Sequence, residues 1–556
     1  MGGTLWGDGV RRREFIATGV AAGAFALAPG FLRDALAAPA AAGPSPYGPL
    51  LPPNGVGLML PEGFSGRQIA RGGKLVEGTA YPWHFASDGQ ATYRTGDGGF
   101  VLVSNSESPV VTGGGSSAIR FTPDGQIEGA YRILLGTNIN CAGGPTPWGT
   151  WLSGEEHPLG MIWEADPAGV LPALPRPALG NFAHEAAAVD PAGEQVYLTE
   201  DEGDGGLYRF TPDAYPSLAG GLLEVAVVAR DGSVSWREVP DPNVVTQLKL
   251  TRQQVPEMTK FDSGEGIWHD GGVIYFTTKG DRRVWAYDIA GSTVEVIYDH
   301  AVTPDAALNA VDNITVSAFG DIYVCEDGGN MEICLITPDR LVSPFCRLVG
   351  SEHDASEMCG AIFDPSGTRM YFSSQRAYPY VPGTPLADGA VYEVTGPFRL
   401  PDGGMPESHV FGPPAGESKA LGDFLAEDVL GDAVPGLLTE VGEKLGLPAL
   451  LAGGLPAALR LDEPATVDMV LRTPDLETVA RYDGTHDRPV PVTLARATHE
   501  LGRGAHELVL RLSPAAAARL AGRDGVDAVL TTVARTAGGR RSVSARRLRL
   551  GQSNTK

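Results

Sequence analysis

Positive charge is scarce in this chain. Its 556 residues carry 43 Lys and Arg against 67 Asp and Glu, a formal net charge of -24. A surface so acidic repels the phosphate backbone, which excludes a nucleic-acid partner. Cysteine is also sparse, with five residues, Cys141, Cys325, Cys334, Cys346 and Cys359. An odd count leaves at least one thiol unpaired, so a complete disulfide framework is excluded. Cys325 and Cys334 fall in strand-like runs and read as core residues. No long amphipathic helix is written before about residue 416, and the one apolar run near the start, 17–31, is too short and too rich in Gly and Ala to span a membrane.

That run belongs to a leader. Arg12-Arg13-Glu14-Phe15-Ile16 has the form of a twin-arginine signal, and Ala35-Leu36-Ala37 offers a small-x-small cleavage site. Residues 1–37 are therefore expected to be a signal peptide read by the Tat translocase, with the mature protein periplasmic or extracellular and 38–49 a linker.

What is present is a repeat. A-A-A-V-D-P-A-G-E-Q-V-Y-L-T-E-D, G-I-W-H-D-G-G-V-I-Y-F-T-T-K and A-I-F-D-P-S-G-T-R-M-Y-F-S-S-Q share a short apolar run, a Gly turn and an aromatic-centred strand. Six such units centre near Leu102, Trp151, Tyr197, Tyr275, Tyr323 and Tyr371, spaced 46 to 49 residues apart except for one gap of 78. The gap holds an insertion at roughly 217–260. A period of this length predicts an all-β, six-bladed β-propeller over 50–398. The segment 399–455 reads as a Gly/Pro-rich and helical linker, and the alternating strands of 456–552 as a small, Ig-like β-sandwich. That last domain is the candidate for contact with the cell surface.

In each unit the start of strand one and the end of strand two meet at one rim. Those positions carry His84, Asn140-Cys141, His184-Glu185, Glu265, Asp312-Asn313 and 357–359. Opposite them stand Asn105, Glu155-Glu156, 200–202, Lys279, Glu326-Asp327 and Gln375. So many acids around one channel mouth would raise one another's pKa unless cations neutralise them. Carboxylates and amides suit Ca²⁺, whereas a thiolate points to a softer metal such as iron. The tryptophans among these residues, Trp148 and Trp151, are expected in the core.

The run Asn140-Cys141-Ala142-Gly143-Gly144, leading through Thr146-Pro147-Trp148-Gly149-Thr150-Trp151 to Glu155-Glu156, resembles the PhoX-type alkaline phosphatases, which are Tat-exported six-bladed propellers. His184-Glu185, Glu265-Gly266-Ile267, Asp312-Asn313 and Glu326-Asp327-Gly328 add to the resemblance. It covers roughly 50–398. It implies a cluster of calcium ions and ferric iron that hydrolyses phosphate monoesters, with Cys141 as an iron ligand. Glu155, Glu156, Glu185, Glu202, Glu265, Asn313, Glu326 and Glu357 become candidate ligands to iron or calcium. Lys279, the one cation of the ring, is a candidate phosphate contact or a neutraliser of its neighbours. The family commonly places an arginine just before the Glu-Gly-Ile step, where this chain has Phe261-Asp262-Ser263-Gly264. Arg282 is the expected substitute, with Arg283 and Arg376 as alternatives. A calcium-dependent propeller hydrolase of another class, lactonase-like, and a non-enzymatic surface protein braced by metals are the competing readings.

Overall fold

The computed structural model describes residues 39–412 apart from 245, 304–306 and 379–387, together with strands and short flanking pieces within 440–550. Among the described residues helix is confined to single turns, and the fold is all-β.

Six antiparallel sheets form the body. Blade one runs Ser87–Arg94, Phe100–Ser106, Gly115–Phe121, Ile127–Leu135, and blade two Asn140–Pro145, Trp151–Glu155, Ile162–Ala165, Leu174–Pro175. Blade three starts at His184–Asp190 and Gln195–Glu200 and has a fifth strand, Val234–Glu238, taken from the expected insertion. Blade four is Gly264–Asp270 to Thr293–Asp299, and blade five Val311–Val316 to Leu341–Leu348. Blade six, Met358–Phe363, Arg369–Ser374, Ala390–Thr395, borrows its outer strand from the N-terminal side, Ser65–Arg71, in antiparallel register. That borrowed strand closes the ring. The first strand of every blade contacts the first strand of the next, and blade six returns to blade one.

The composition follows from this stacking. A middle strand lies between two neighbouring blades and is buried on both faces, so it reads as a continuous apolar run without alternation. Val273–Thr278 is buried throughout, and Tyr197, Tyr275, Tyr323 and Tyr371 are at most 2 % exposed. The hairpin turns repeat one device: Asp166, Asp190 and Asp364 each accept backbone N–H groups two to five residues ahead and fold the chain back. The stretch 39–49 runs beside blade five, where Ala41–Ala42 pairs with Leu341 and Val342.

Beyond the propeller two sheets occur, Glu440–Val441 with Leu455–Leu461 and Gly504–Leu510, and Arg488–Leu501 with Ala465–Val479, Val526–Thr536 and Arg541–Leu550. Leu455, Ala457, Leu459 and Leu461 alternate as buried positions on one strand, as do Val467, Met469 and Leu471 on another. The expected signal peptide and most of the expected helical linker lie outside the described residues. The described part of that linker that has regular structure is a 3₁₀ turn at Glu407–His409 and the strand Glu440–Val441.

Candidate metal centre

Every inner strand is broken near the same level, in blade six one residue further along than in the other five. The register slips by one residue between Ser87 and Gln90, Asn140 and Gly143, His184 and Ala187, Gly264 and Ile267, Val311 and Ile314, and Cys359 and Ile362. A bulge turns a side chain out of the sheet's alternation. The first bulged residues are Asp88, Cys141, Glu185, Glu265, Asp312 and Gly360. Five blades thus bring an acid or a thiol to the axis, and all five residues are buried. The second bulged residues are Gly89, Ala142, Ala186, Gly266, Asn313 and Ala361, small but for Asn313, because the strands crowd there. A Cβ on Gly89 would lie 2.5 Å from the Ala142 Cα.

A second ring sits above the first. The residues following strand two, Glu107, Glu156, Asp201, Lys279, Asp327 and Gln375, each donate a backbone N–H to the carbonyl just ahead of the inner strand. Of those carbonyl-bearing residues, Ala86, Ile139 and Ser263 have positive φ. Such strain in non-glycine residues persists where the surroundings enforce it.

The rings converge into three groups whose ligand atoms lie within 4.8 Å of one another: Cys141, Glu156 and Glu185; Glu185, Glu265 and Asp312; Asp88, Glu107 and Glu357. Glu185 belongs to the first two. Cys141 Sγ lies 3.4 Å from Asp88 Oδ2 and links the third. Asn313 Nδ2 donates to Asp312 Oδ1 at 2.8 Å, and its Oδ1 accepts the Gly360 N–H. Lys279 Nζ approaches Glu265 at 2.5 Å, Asp201 at 3.4 Å and Asp327 at 3.5 Å. Arg376 spans Glu357 at 2.7 Å and Glu107 at 2.8 Å.

Two cations do not balance this many acids. Burial, then neighbouring carboxylates, pushes Glu185 and Asp312 well above the carboxylate range. Glu156 is raised to about 8 and Glu107 to about 7, burial being the larger cause for each. Burial and the adjacent acids also hold the Cys141 thiol protonated. Glu185 Oε2 is buried without a hydrogen-bond partner among the described residues. An orphaned carboxylate oxygen inside a ring of acids fits bound cations, and the donor set of carboxylates, an amide and one thiol fits calcium beside a softer metal.

Of the residues expected from sequence, Cys141, Glu156, Glu185, Glu265, Asn313, Glu357 and Lys279 meet here. Glu155 does not. Its carboxylate is taken by the Asn138 N–H at 2.8 Å and by Trp163 Nε1 at 2.9 Å. Glu202 turns to Arg252, 3.1 Å away, which also holds Glu200 and Asp204. Glu326 points outward, toward Glu332 and Cys334. Arg282 is exposed and donates to Asn309 Oδ1 at 3.0 Å. Arg283 pairs with Asp281 and Asp299. His84, the rim residue expected for blade one, packs on Trp83 instead. Asp88 takes that place.

Residues 65–168 and 157–296 match the family model described as alkaline phosphatase PhoX. The chain matches the PhoX family over those two segments. They include Asp88, Cys141, Glu156, Glu185, Glu265 and Lys279 from the two rings, and end before Asp312 and Glu357. No curated protein matches the chain. Solved structures that resemble it include a gluconolactonase from Xanthomonas campestris, with 14% identity, 64% of this chain and 99% of that one covered, and a TM-score of 0.35. Another is the calcium-binding protein regucalcin from Agrobacterium tumefaciens, with 14% identity, 57% and 93% covered, and a TM-score of 0.33.

Proposed function

We propose that this PhoX-matching propeller is an exported, metal-dependent phosphatase that hydrolyses phosphate monoesters at a calcium and ferric iron cluster in the channel mouth. The observation that carries it is the pair of groups sharing Glu185, one containing Cys141 and the other acidic throughout. Cys141, Glu156 and Glu185 would hold iron, and Glu185, Glu265 and Asp312 a calcium ion, with Asp88, Glu107 and Glu357 forming a further cation site. When bound, the cations supply the positive charge that phosphoryl oxygens and a charged transition state require.

The chain's own part is placement. Lys279 is about one-third exposed, and Arg376 is 43% exposed. Both lie at the rim with their charges held by ring acids, so they are placed to meet an arriving phosphate. Arg376 can engage two oxygens at once. Beneath the ring the crowded Gly and Ala backbones leave an axial cavity of only about 30 Å³, which keeps the ester at the mouth. The two C-terminal sheets, with their alternating buried positions, form in this reading an Ig-like sandwich that contacts the cell surface. The leader directs export to the periplasm or beyond.

The test uses purified full-length protein with p-nitrophenyl phosphate and bis-p-nitrophenyl phosphate, before and after chelation. Monoester turnover lost to chelator and recovered with calcium and iron is expected. Iron- and calcium-loaded protein inert toward both esters would remove the enzyme.

A further inference from the structure

A second buried thiol and carboxylate group lies one strand outward in blade five, between strands two and three. Glu326, Glu332 and Cys334 are at most 1 % exposed, and their ligand atoms lie within 4.8 Å of one another.

Comparison among blades shows what is unusual. Glu155, Glu200, Thr278 and Glu326 hold the same register position, the end of strand two. In blades two, three and four the strand-three residue opposite the position two before it, on the same sheet face, is a hydrogen-bond donor to that position. Trp163 Nε1 donates to Glu155 at 2.9 Å, Tyr208 OH to Glu200 at 2.7 Å, and Trp285 Nε1 to Thr278 at 2.8 Å. In blade five the residue at that diagonal position, opposite Val324, is Cys334. Glu326 Oε1 accepts the Asn309 N–H at 2.6 Å, but Oε2 is buried with no hydrogen-bond partner among the described residues. Beside it a second acid has been added, Glu332. Arg347 Nε donates to Glu332 Oε1 at 2.8 Å, while Oε2 faces the Cys334 Sγ at 3.8 Å.

We infer that Glu326, Glu332 and Cys334 bind one divalent transition-metal ion of zinc type, separate from the axial cluster. The chemistry balances. A divalent ion, a thiolate, two carboxylates and the Arg347 guanidinium together carry no net charge, and the ion gives Glu326 Oε2 the partner that Trp163, Tyr208 and Trp285 provide elsewhere. Binding releases the thiol proton and any proton held by Glu326 to solvent. The sulfur-to-oxygen separation is near the roughly 3.5 Å edge of a tetrahedron with Zn–S about 2.3 Å and Zn–O about 2.0 Å. Three buried protein ligands leave the fourth position to water or to the second oxygen of a carboxylate, and a site enclosed between two strands is filled as the blade folds. It ties strand two to strand three.

The test uses the full chain with Cys141→Ala, which removes the axial thiol, alone and combined with Cys334→Val or Glu326→Gln. Each protein is produced with zinc or with cobalt and dialysed against chelator. The parent is expected to keep about one equivalent of the metal, because the ligands are buried and the ion is bound as the blade folds. Both double variants should lose it by roughly ten-fold or more. In the cobalt form a thiolate-to-metal charge-transfer band should persist in the parent and vanish with Cys334→Val. Glu326→Gln retains the oxygen that accepts from Asn309 and serves if the valine variant misfolds. Equal zinc in folded parent and double variants, or none in the folded parent, overturns the assignment. Neither outcome depends on the phosphatase reading.

Discussion

Lys279 Nζ lies 2.5 Å from Glu265 Oε1 and within 3.5 Å of Asp201 and Asp327, so one ammonium serves carboxylates of three successive blades. Replacing it leaves those acids without their counter-charge. Lys279→Met should lower the stability of chelated protein by roughly 1–2 kcal/mol, the buried-pair cost reduced for partial exposure. Calcium should restore most of that loss, because the same acids then have cations. Denaturant unfolding with chelator and with calcium checks it. A calcium-independent loss would make the lysine a packing element only.

Glu185 is shared between two ligand groups, whereas Cys141 belongs to one. Cys141→Ala should therefore lose iron and keep calcium, and Glu185→Gln should lower both. Elemental analysis of the folded proteins decides. Iron unchanged in Cys141→Ala would separate the thiol from the metal centre.

The blade count is legible in the sequence because propeller strands repeat their turns and aromatics at a fixed period, and Leu102, Trp151, Tyr197, Tyr275, Tyr323 and Tyr371 each lie in the second strand of a blade, as expected. The site is legible only to within one residue. Glu155-Glu156, Glu200-Asp201 and Glu326-Asp327 are acidic doublets at the end of strand two, and adjacent strand residues face opposite ways. The first of each clamps a loop or faces the neighbouring strand, and the second stands at the rim. Composition does not distinguish them. Asp88 escapes a reading that anchors blade one on His84, although Ser87-Asp88-Gly89 repeats the frame of Asn140-Cys141-Ala142 and Gly264-Glu265-Gly266. The bulge that aims these side chains leaves no mark in one blade alone. It shows only when all six are laid in register. Arg252 enters from the insertion, and its place beside Glu200 is a matter of how that loop returns.

Removing the cations should give the protein an acid-favoured stability. Glu107 and Glu156 are raised to about 7 and about 8 when folded, against about 4.3 when unfolded. A raised carboxyl binds more protons in the native state between those values, so the contribution is full below about 4.3 and is lost as pH rises through about 7 to 8. Chelated protein should thus unfold at lower denaturant at pH 8 than at pH 5.5. Saturating calcium should flatten or reverse the trend, since the metal favours the ionised acids. A chelated protein equally stable at both pH values would contradict the burial of these carboxyls.

At Gly266 the axial backbones leave no room for even a methyl group. A Cβ on Gly266 would fall 2.5 Å from the Ile314 nitrogen and 2.6 Å from the Asn313 Cα, both backbone atoms of the next blade. Neither can move without shifting Asp312 and Asn313, whose side chains meet Glu185 and the Gly360 amide. Gly266→Ala should cost roughly 1–3 kcal/mol by overpacking, and calcium content should fall with it. A methyl group on Gly55 would meet nothing within 4 Å, so Gly55→Ala should stay within about 0.5 kcal/mol. Urea unfolding of the two variants beside wild type compares them. If Gly266→Ala kept full stability and full calcium, the inner strands could not be as closely packed as their small residues imply, and the bulges would lose their role in fixing where the ligands point.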